Sequence, residues 1–118
     1  MPIVTVTALG ADRDVVERLL ARLAEGVAEG ASCPVGDVWC SFVPASAQSI
    51  GERSATPQEQ CPIVVIRGRV RAGERVAAGM EAAARVVAAE LKVPFEDVWV
   101  QWLDVLPGKA FAGGAVIS

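Results

Sequence analysis

Apolar residues along this chain follow two kinds of spacing. Val16, Leu20, Leu23 and Val27 recur every three or four residues, the interval that lines one face of a helix, and Val76, Met80, Ala83 and Val87 do the same further on. The spacing predicts helices over 13–30 and 73–91. Shorter apolar runs of strand length flank them, over 2–9, 37–44, 62–70 and 97–104. Asp12 stands where a helix N-cap is expected, and Pro34 and Pro94 mark segments beyond the helix ends.

The two halves are versions of one another. PIV at 2–4 returns at 62–64, a shift of 60 residues. At the same shift CPVGDVWCSF (33–42) matches VPFEDVWVQW (93–102), pairing Pro34 with Pro94, Asp37 with Asp97 and Trp39 with Trp99. The chain reads as one domain spanning 1–118, with repeats at 2–44 and 62–104. A polar linker over 45–61 joins them, and a turn with a short strand follows over 105–118. A helix between two strands of one sheet makes a right-handed crossover and leaves the strands parallel. The expected fold is therefore α+β, a four-stranded sheet of two parallel pairs with both helices on one face. PIVVI and DVWVQWL are apolar at both parities, whereas a strand wetted on one side would alternate. Something must cover the second face, and further copies of the chain are the simplest cover, so a closed homo-oligomer is expected.

Composition narrows the chemistry. An apolar fraction of 53% with 21% charged residues fits a packed globule rather than a disordered chain. A net charge of −3 gives no reason to expect nucleic acid or an anionic membrane as partner. No apolar run approaches the ~20 residues that span a bilayer. MPIVTVTALGADRD has no basic stretch ahead of its apolar one, so it does not read as a signal peptide and a cytoplasmic location is expected. Cys33, Cys40 and Cys61 are odd in number and spaced like neither a zinc site nor a disulfide framework, so three reduced thiols are expected. The chain has no His and no Tyr. That excludes Ser-His and Cys-His nucleophile pairs and histidine metal sites. No metal or cofactor is implied, and any reaction must run on carboxylates, arginines, lysines, thiols or the chain terminus.

Two features answer to that list. With Met1 removed, Pro2 is a terminal secondary amine; a terminal amine titrates at about pH 8, and proline's somewhat higher, close enough to neutrality for acid or base work. Pro62 repeats the motif, but its nitrogen is an internal amide without charge or basicity. Arg67, Arg69 and Arg71 alternate along the third strand, which places them on one face at its C-terminal end. Their partners in the first copy are Thr7, Leu9 and Ala11, so the fold itself does not need them. Guanidinium groups in such a cluster suit a small carboxylate substrate, held by paired hydrogen bonds.

A tandem strand-helix-strand repeat that begins Met-Pro resembles the tautomerase superfamily over nearly the whole chain. The resemblance implies removal of Met1, catalysis by the Pro2 amine and, for fused members of this length, a homotrimer. Within the superfamily the chain is most similar to the malonate semialdehyde decarboxylase group. The likeness rests on Pro2, on Arg69 with Arg71, and on Asp37, three residues after Pro34. It implies catalytic roles for all four, although the twin Asp97 also fits a shared structural job. Phe111, in GKAFAGG, matches the aromatic wall of the short 4-oxalocrotonate tautomerases and joins Arg67 as a substrate-binding candidate. Those tautomerases carry an arginine where both copies here have Trp. The late Glu of the superfamily's dehalogenases and the first-connection Lys of its macrophage migration inhibitory group are missing. So is an aromatic residue that the decarboxylases carry near Lys109. The implied activity is decarboxylation or hydration of small 3-oxo acids or their alkyne analogues by a protonated Pro2. Two alternatives are an enol–keto tautomerase with neutral Pro2 as base, and a non-catalytic trimeric binding protein. A carboxylate beside the amine favours its charged form and arginines favour its neutral form, so the charge balance at Pro2 separates the first two.

Overall fold

In a computed structural model describing all 118 residues, both copies fold as strand, helix, 3-10 turn and strand. β1 (Ile3–Leu9) alternates strictly: Val4, Val6 and Ala8 are buried, while Ile3, Thr5, Thr7 and Leu9 turn the other way and stay half-buried. α1 (Arg13–Ala31) buries Leu19, Leu23, Val27, Ala28 and Ala31, with Val16 and Leu20 at the margin. Asp12 occupies the N-cap position, but its side chain makes no capping hydrogen bond. Its backbone carbonyl accepts from Val16 N–H at 3.0 Å instead. A 3-10 turn (Val35–Asp37) then leads to β2 (Trp39–Ala45), so Asp37 closes the turn rather than opening the strand.

Within the stretch read as linker the chain makes a small hairpin, β3 (Ser49–Ile50) and β4 (Arg53–Ser54). The second copy follows as β5 (Ile63–Arg69), α2 (Gly73–Leu91), a 3-10 turn (Phe95–Asp97) and β6 (Trp99–Val105). The tail is a second hairpin, β7 (Phe111–Ala112) and β8 (Ala115–Val116), where one short strand is expected from the sequence. Both hairpins turn on a glycine with positive φ, Gly51 and Gly113, each at 62°, as the tight hairpin turns require.

The strand order is β2-β1-β5-β6. The outer pairs are parallel and the central pair, β1 with β5, is antiparallel. Thr5 lies opposite Val65, its own repeat partner, so the pseudo-twofold of the repeat passes between these strands. Both helices pack on one face, over a core of Val4, Val6, Leu19, Leu23, Val27, Val64, Ile66, Ala83 and Val87. The helices also lock to each other. Glu90 on α2 is buried and accepts from Arg18 Nε on α1, with Arg22 3.5 Å away. Only 22 of the 118 residues are buried, because the second sheet face carries large side chains in the open. Trp39, Val43, Ile63, Trp99 and Leu103 all stand exposed there.

The helix crossing depends on Gly30. A Cβ there would sit 2.6 Å from the Ala78 carbonyl oxygen and 2.7 Å from Gly79 N, all rigid backbone. Gly30→Ala therefore has to separate the helices. A loss of roughly 1–3 kcal/mol is expected in a urea titration, despite alanine's better helix propensity. A stability equal to or above that of the parent would show that the crossing is looser than this.

Candidate active site

One residue further along each ladder from Ile3, Pro2 lies between Val38 on one side and Gly68 on the other, and Met1 lies between Asp37 and Arg69. Pro2 is fully buried, its ring on the helix side, and its carbonyl accepts from Trp39 N–H at 3.0 Å. The antiparallel central pair thus brings the start of β1 to the C-terminal end of β5, where the arginines are.

A cavity of about 230 Å³ opens at this end of the sheet. Met1, Ile3, Trp39, Arg69 and Phe111 contribute to its walls, and Ile117 closes it from the tail. Eight of the nine lining residues are hydrophobic, leaving the Arg69 guanidinium as the one charge in an apolar chamber. Phe111 is 70% exposed in the isolated chain and reaches the cavity from the C-terminal hairpin. Met1 itself fills part of the wall, and Pro2, the next residue, is not among the lining residues.

The remaining expected residues divide. Arg67 shares the open face with Arg69 but lies deeper in the ladder, opposite Ile3 and Leu103, outside the cavity lining. Arg71 is two residues past the end of β5 and does not continue the alternation. Its guanidinium lies 5.5 Å from the Trp102 ring centroid, and its Nη1 donates to the Arg69 carbonyl at 3.2 Å. Asp37 is exposed, its N–H donating to the Pro34 carbonyl at 3.0 Å. Asp97 repeats that turn on Pro94 at 3.1 Å, so the aspartates share a backbone setting and differ in what lies beside them.

The amine at the chain terminus, carried by Met1 here, is held below its ordinary value. Burial is the largest cause, Arg71 the next and Arg69 the third; Cys33 and Asp37 push the other way, more weakly. Positive charge and desolvation therefore outweigh the carboxylate at this end of the sheet. The three cysteines are free and half-buried, and burial pushes the Cys40 thiol up to about 11, which makes it a poor nucleophile.

The second copy has a corresponding hollow of about 430 Å³, where Cys61, Ile63 and Trp99 take the places of Met1, Ile3 and Trp39. There the chain ahead of Pro62 is pinned: Gln48 Nε2 donates to the Cys61 carbonyl at 2.7 Å and its Oε1 accepts from Cys61 N–H at 2.8 Å. Sequence reasoning missed this clamp, the Cys33 thiol beside the amine and the matching of the two hairpins. The hairpins were findable, since Gly51 and Gly113 each follow two strand residues, but at a shift of 62 rather than 60.

Solved structures share this architecture. A native fused 4-OT is similar with a TM-score of 0.83 and 24% identity, over 97% of this chain and 94% of that one. The R7 fused 4-OT, an asymmetric trimer, aligns with a TM-score of 0.88 and 14% identity over the same shares. A macrophage migration inhibitory factor-like protein from Entamoeba histolytica aligns with a TM-score of 0.83 and 6% identity, covering 98% of each chain. The chain thus has the tautomerase/MIF-like fold. No protein-family model and no curated protein matches it.

The charge balance is open to direct measurement. Arg71→Ala should raise the pKa of the terminal amine toward its ordinary range, and Asp37→Asn should lower it further by a smaller amount. Nitrogen-15 NMR titration reads both. A value unmoved by Arg71→Ala would mean that Arg71 plays no part in setting the amine.

Proposed function

We propose that this chain is a tautomerase-superfamily enzyme that, once Met1 is removed, uses the Pro2 amine as general base on a small monocarboxylate enol. The observation that carries the reading is the setting of the chain terminus: the Met1 amine, one residue ahead of Pro2, is held below its ordinary value by burial and by Arg71 and Arg69, and Met1 lines an apolar cavity with a single guanidinium in its wall. In its neutral form a secondary amine can take the enol hydroxyl proton. The oxygen lone pair then forms the carbonyl, the C=C pair swings onto carbon, and Pro2 returns the proton there. Arg69 holds the carboxylate by charge-assisted hydrogen bonds, and the same positive charge stabilises the enolate as it develops. Trp39 and Phe111 accept an apolar substrate body, as in phenylenolpyruvate.

A second reading has its own support in Asp37, which acts on the amine in the opposite sense. Were the Pro2 amine cationic at neutral pH, Arg69 and Arg71 would hold a 3-oxo acid with its carboxylate out of the ketone plane. The cationic amine would then stabilise the enolate left by loss of carbon dioxide, as in the malonate semialdehyde decarboxylase group. The apolar sheet face and the trimeric state of the similar fused 4-OT support a homotrimer for this chain.

Ketonisation of phenylenolpyruvate, followed by absorbance, tests the lead reading. The rate should rise with pH through the depressed amine pKa and stay flat above it, since the base works only when neutral. Arg71→Ala should shift this limb to higher pH. Arg69→Ala should raise KM about ten- to a hundredfold, the loss expected for a charge-assisted contact. An intact mass that retains Met1 would end both catalytic readings, and activity confined to 3-oxo acids would replace the first with the second. Sedimentation should give three times the 12.3 kDa of one chain; a monomer would leave the apolar face without its proposed cover.

A further inference from the structure

The internal repeat supplies its own control for what the second copy has gained. Four positions around the end of β5 differ together from their partners in the first copy. Gly68 replaces Ala8, Gly79 replaces Leu19, Trp102 replaces Phe42, and Arg71 replaces Ala11. These four are in contact. A Cβ at position 68 would lie 2.5 Å from Trp102 Cζ2 and 3.0 Å from Cη2, so the indole occupies the space that Ala8 fills in the first copy. Its Cζ3 lies 3.5 Å from where a Gly79 Cβ would be, and the leucine of the first copy would run into the ring. On this seated ring rests the Arg71 guanidinium, 5.5 Å from the ring centroid.

The arrangement is not one that stability alone would favour. Trp102 Nε1 is buried without a hydrogen-bond partner, which costs free energy, and two glycines in element interiors cost more. What it accomplishes is to fix a long, flexible side chain beyond the end of a strand, where no ladder neighbour would hold it. Gly68 lies opposite Pro2 one residue along the ladder from Ile3, so the platform stands beside the proposed catalytic residue. Arg71 is also the strongest charge acting on the terminal amine.

Building on the function proposed above, we infer that Trp102 is a positioning residue, whose indole, seated on Gly68 and Gly79, holds the Arg71 guanidinium at the Pro2 end of the sheet. Trp102 touches no substrate. It acts through Arg71, on the basicity of the amine. The other cation–ring contact of the chain, Arg85 at 5.3 Å from the Phe95 ring, lies away from the cavity and serves as a comparison.

The test replaces the second-copy packing with that of the first: Gly68→Ala, Gly79→Leu and Trp102→Phe together, a combination already shown to pack in residues 8, 19 and 42. Trp102→Leu alone is the companion variant should the triple fold poorly. Both should raise the Pro2 amine pKa in the direction of Arg71→Ala and shift the rising limb of the pH–rate profile to higher pH with it. Adding Arg71→Ala to either should change little more, because the arginine is already released. Arg85→Ala should leave both readouts unchanged. Full additivity with Arg71→Ala, or a folded variant with the parent's amine pKa and pH limb, would overturn the inference. The NMR titration decides it even if no enol or 3-oxo acid is turned over, so the function could fail while the positioning role stood.

Discussion

The antiparallel ladder between β1 and β5 is the constraint on which the candidate site depends. It joins two equivalent halves head to tail, so the start of one lies against the end of the other. Had the halves met in parallel, Pro2 would sit beside Pro62, and Arg69 would lie about seven strand residues away, roughly 20 Å. With the observed register, Ile3 is opposite Arg67, and Met1 and Arg69 line one cavity. The same ladder sets the electrostatics, because an amine carried to the end of β5 meets Arg69 and Arg71 while it loses water. Desolvation and positive charge act in one direction on it, and Asp37, exposed on a turn, is too weak a counterweight to reverse the sign.

A symmetric fold thus carries an asymmetric candidate site. The first copy provides the amine, the apolar walls at Ile3 and Trp39, and Asp37; the second provides Arg69, Arg71 and the Trp102 platform. The tail hairpin adds Phe111. At the pseudo-equivalent place the chain runs on through Cys61 into Pro62, and Gln48 holds that backbone by two hydrogen bonds. The hollow beside it keeps its tryptophan and isoleucine but has an amide where the other has an amine.

Much of the fold was legible in the sequence because its signals are periodic and doubled. Helical spacing at Leu23 and Val27 recurs at Ala83 and Val87, and helix bounds read from it agree with the observed ones to within a residue. The hairpins were harder to read, since two-residue strands have no period and their glycines recur at a shift of 62, off the repeat of 60. Arg71 was placed in alternation with Arg67 and Arg69, as continuous strand geometry would have it. The strand stops at Arg69, where its ladder with β6 ends at Val105, and local spacing carries no information about a neighbour's length. The seat of Trp102 was illegible for a similar reason. The loss of Ala8 and Leu19 at positions 68 and 79 reads as two unrelated small residues until the sheet and α2 bring them under one ring. The choice between base and acid at Pro2 depends on a balance of distances, so residue types alone left it open.

The pinning of Cys61 by Gln48 has a consequence for how such a chain can be divided. Each site draws on both halves in unequal roles, so its stoichiometry is one first half to one second half. A chain nicked within residues 45–61 would yield two fragments that are alike in shape but not interchangeable. Assemblies of the first fragment alone would have amines without the arginine pair, and assemblies of the second would have the arginines without Pro2. Fusion in this fold therefore does more than tether two copies: it fixes their ratio, and with that ratio constant each half is free to diverge.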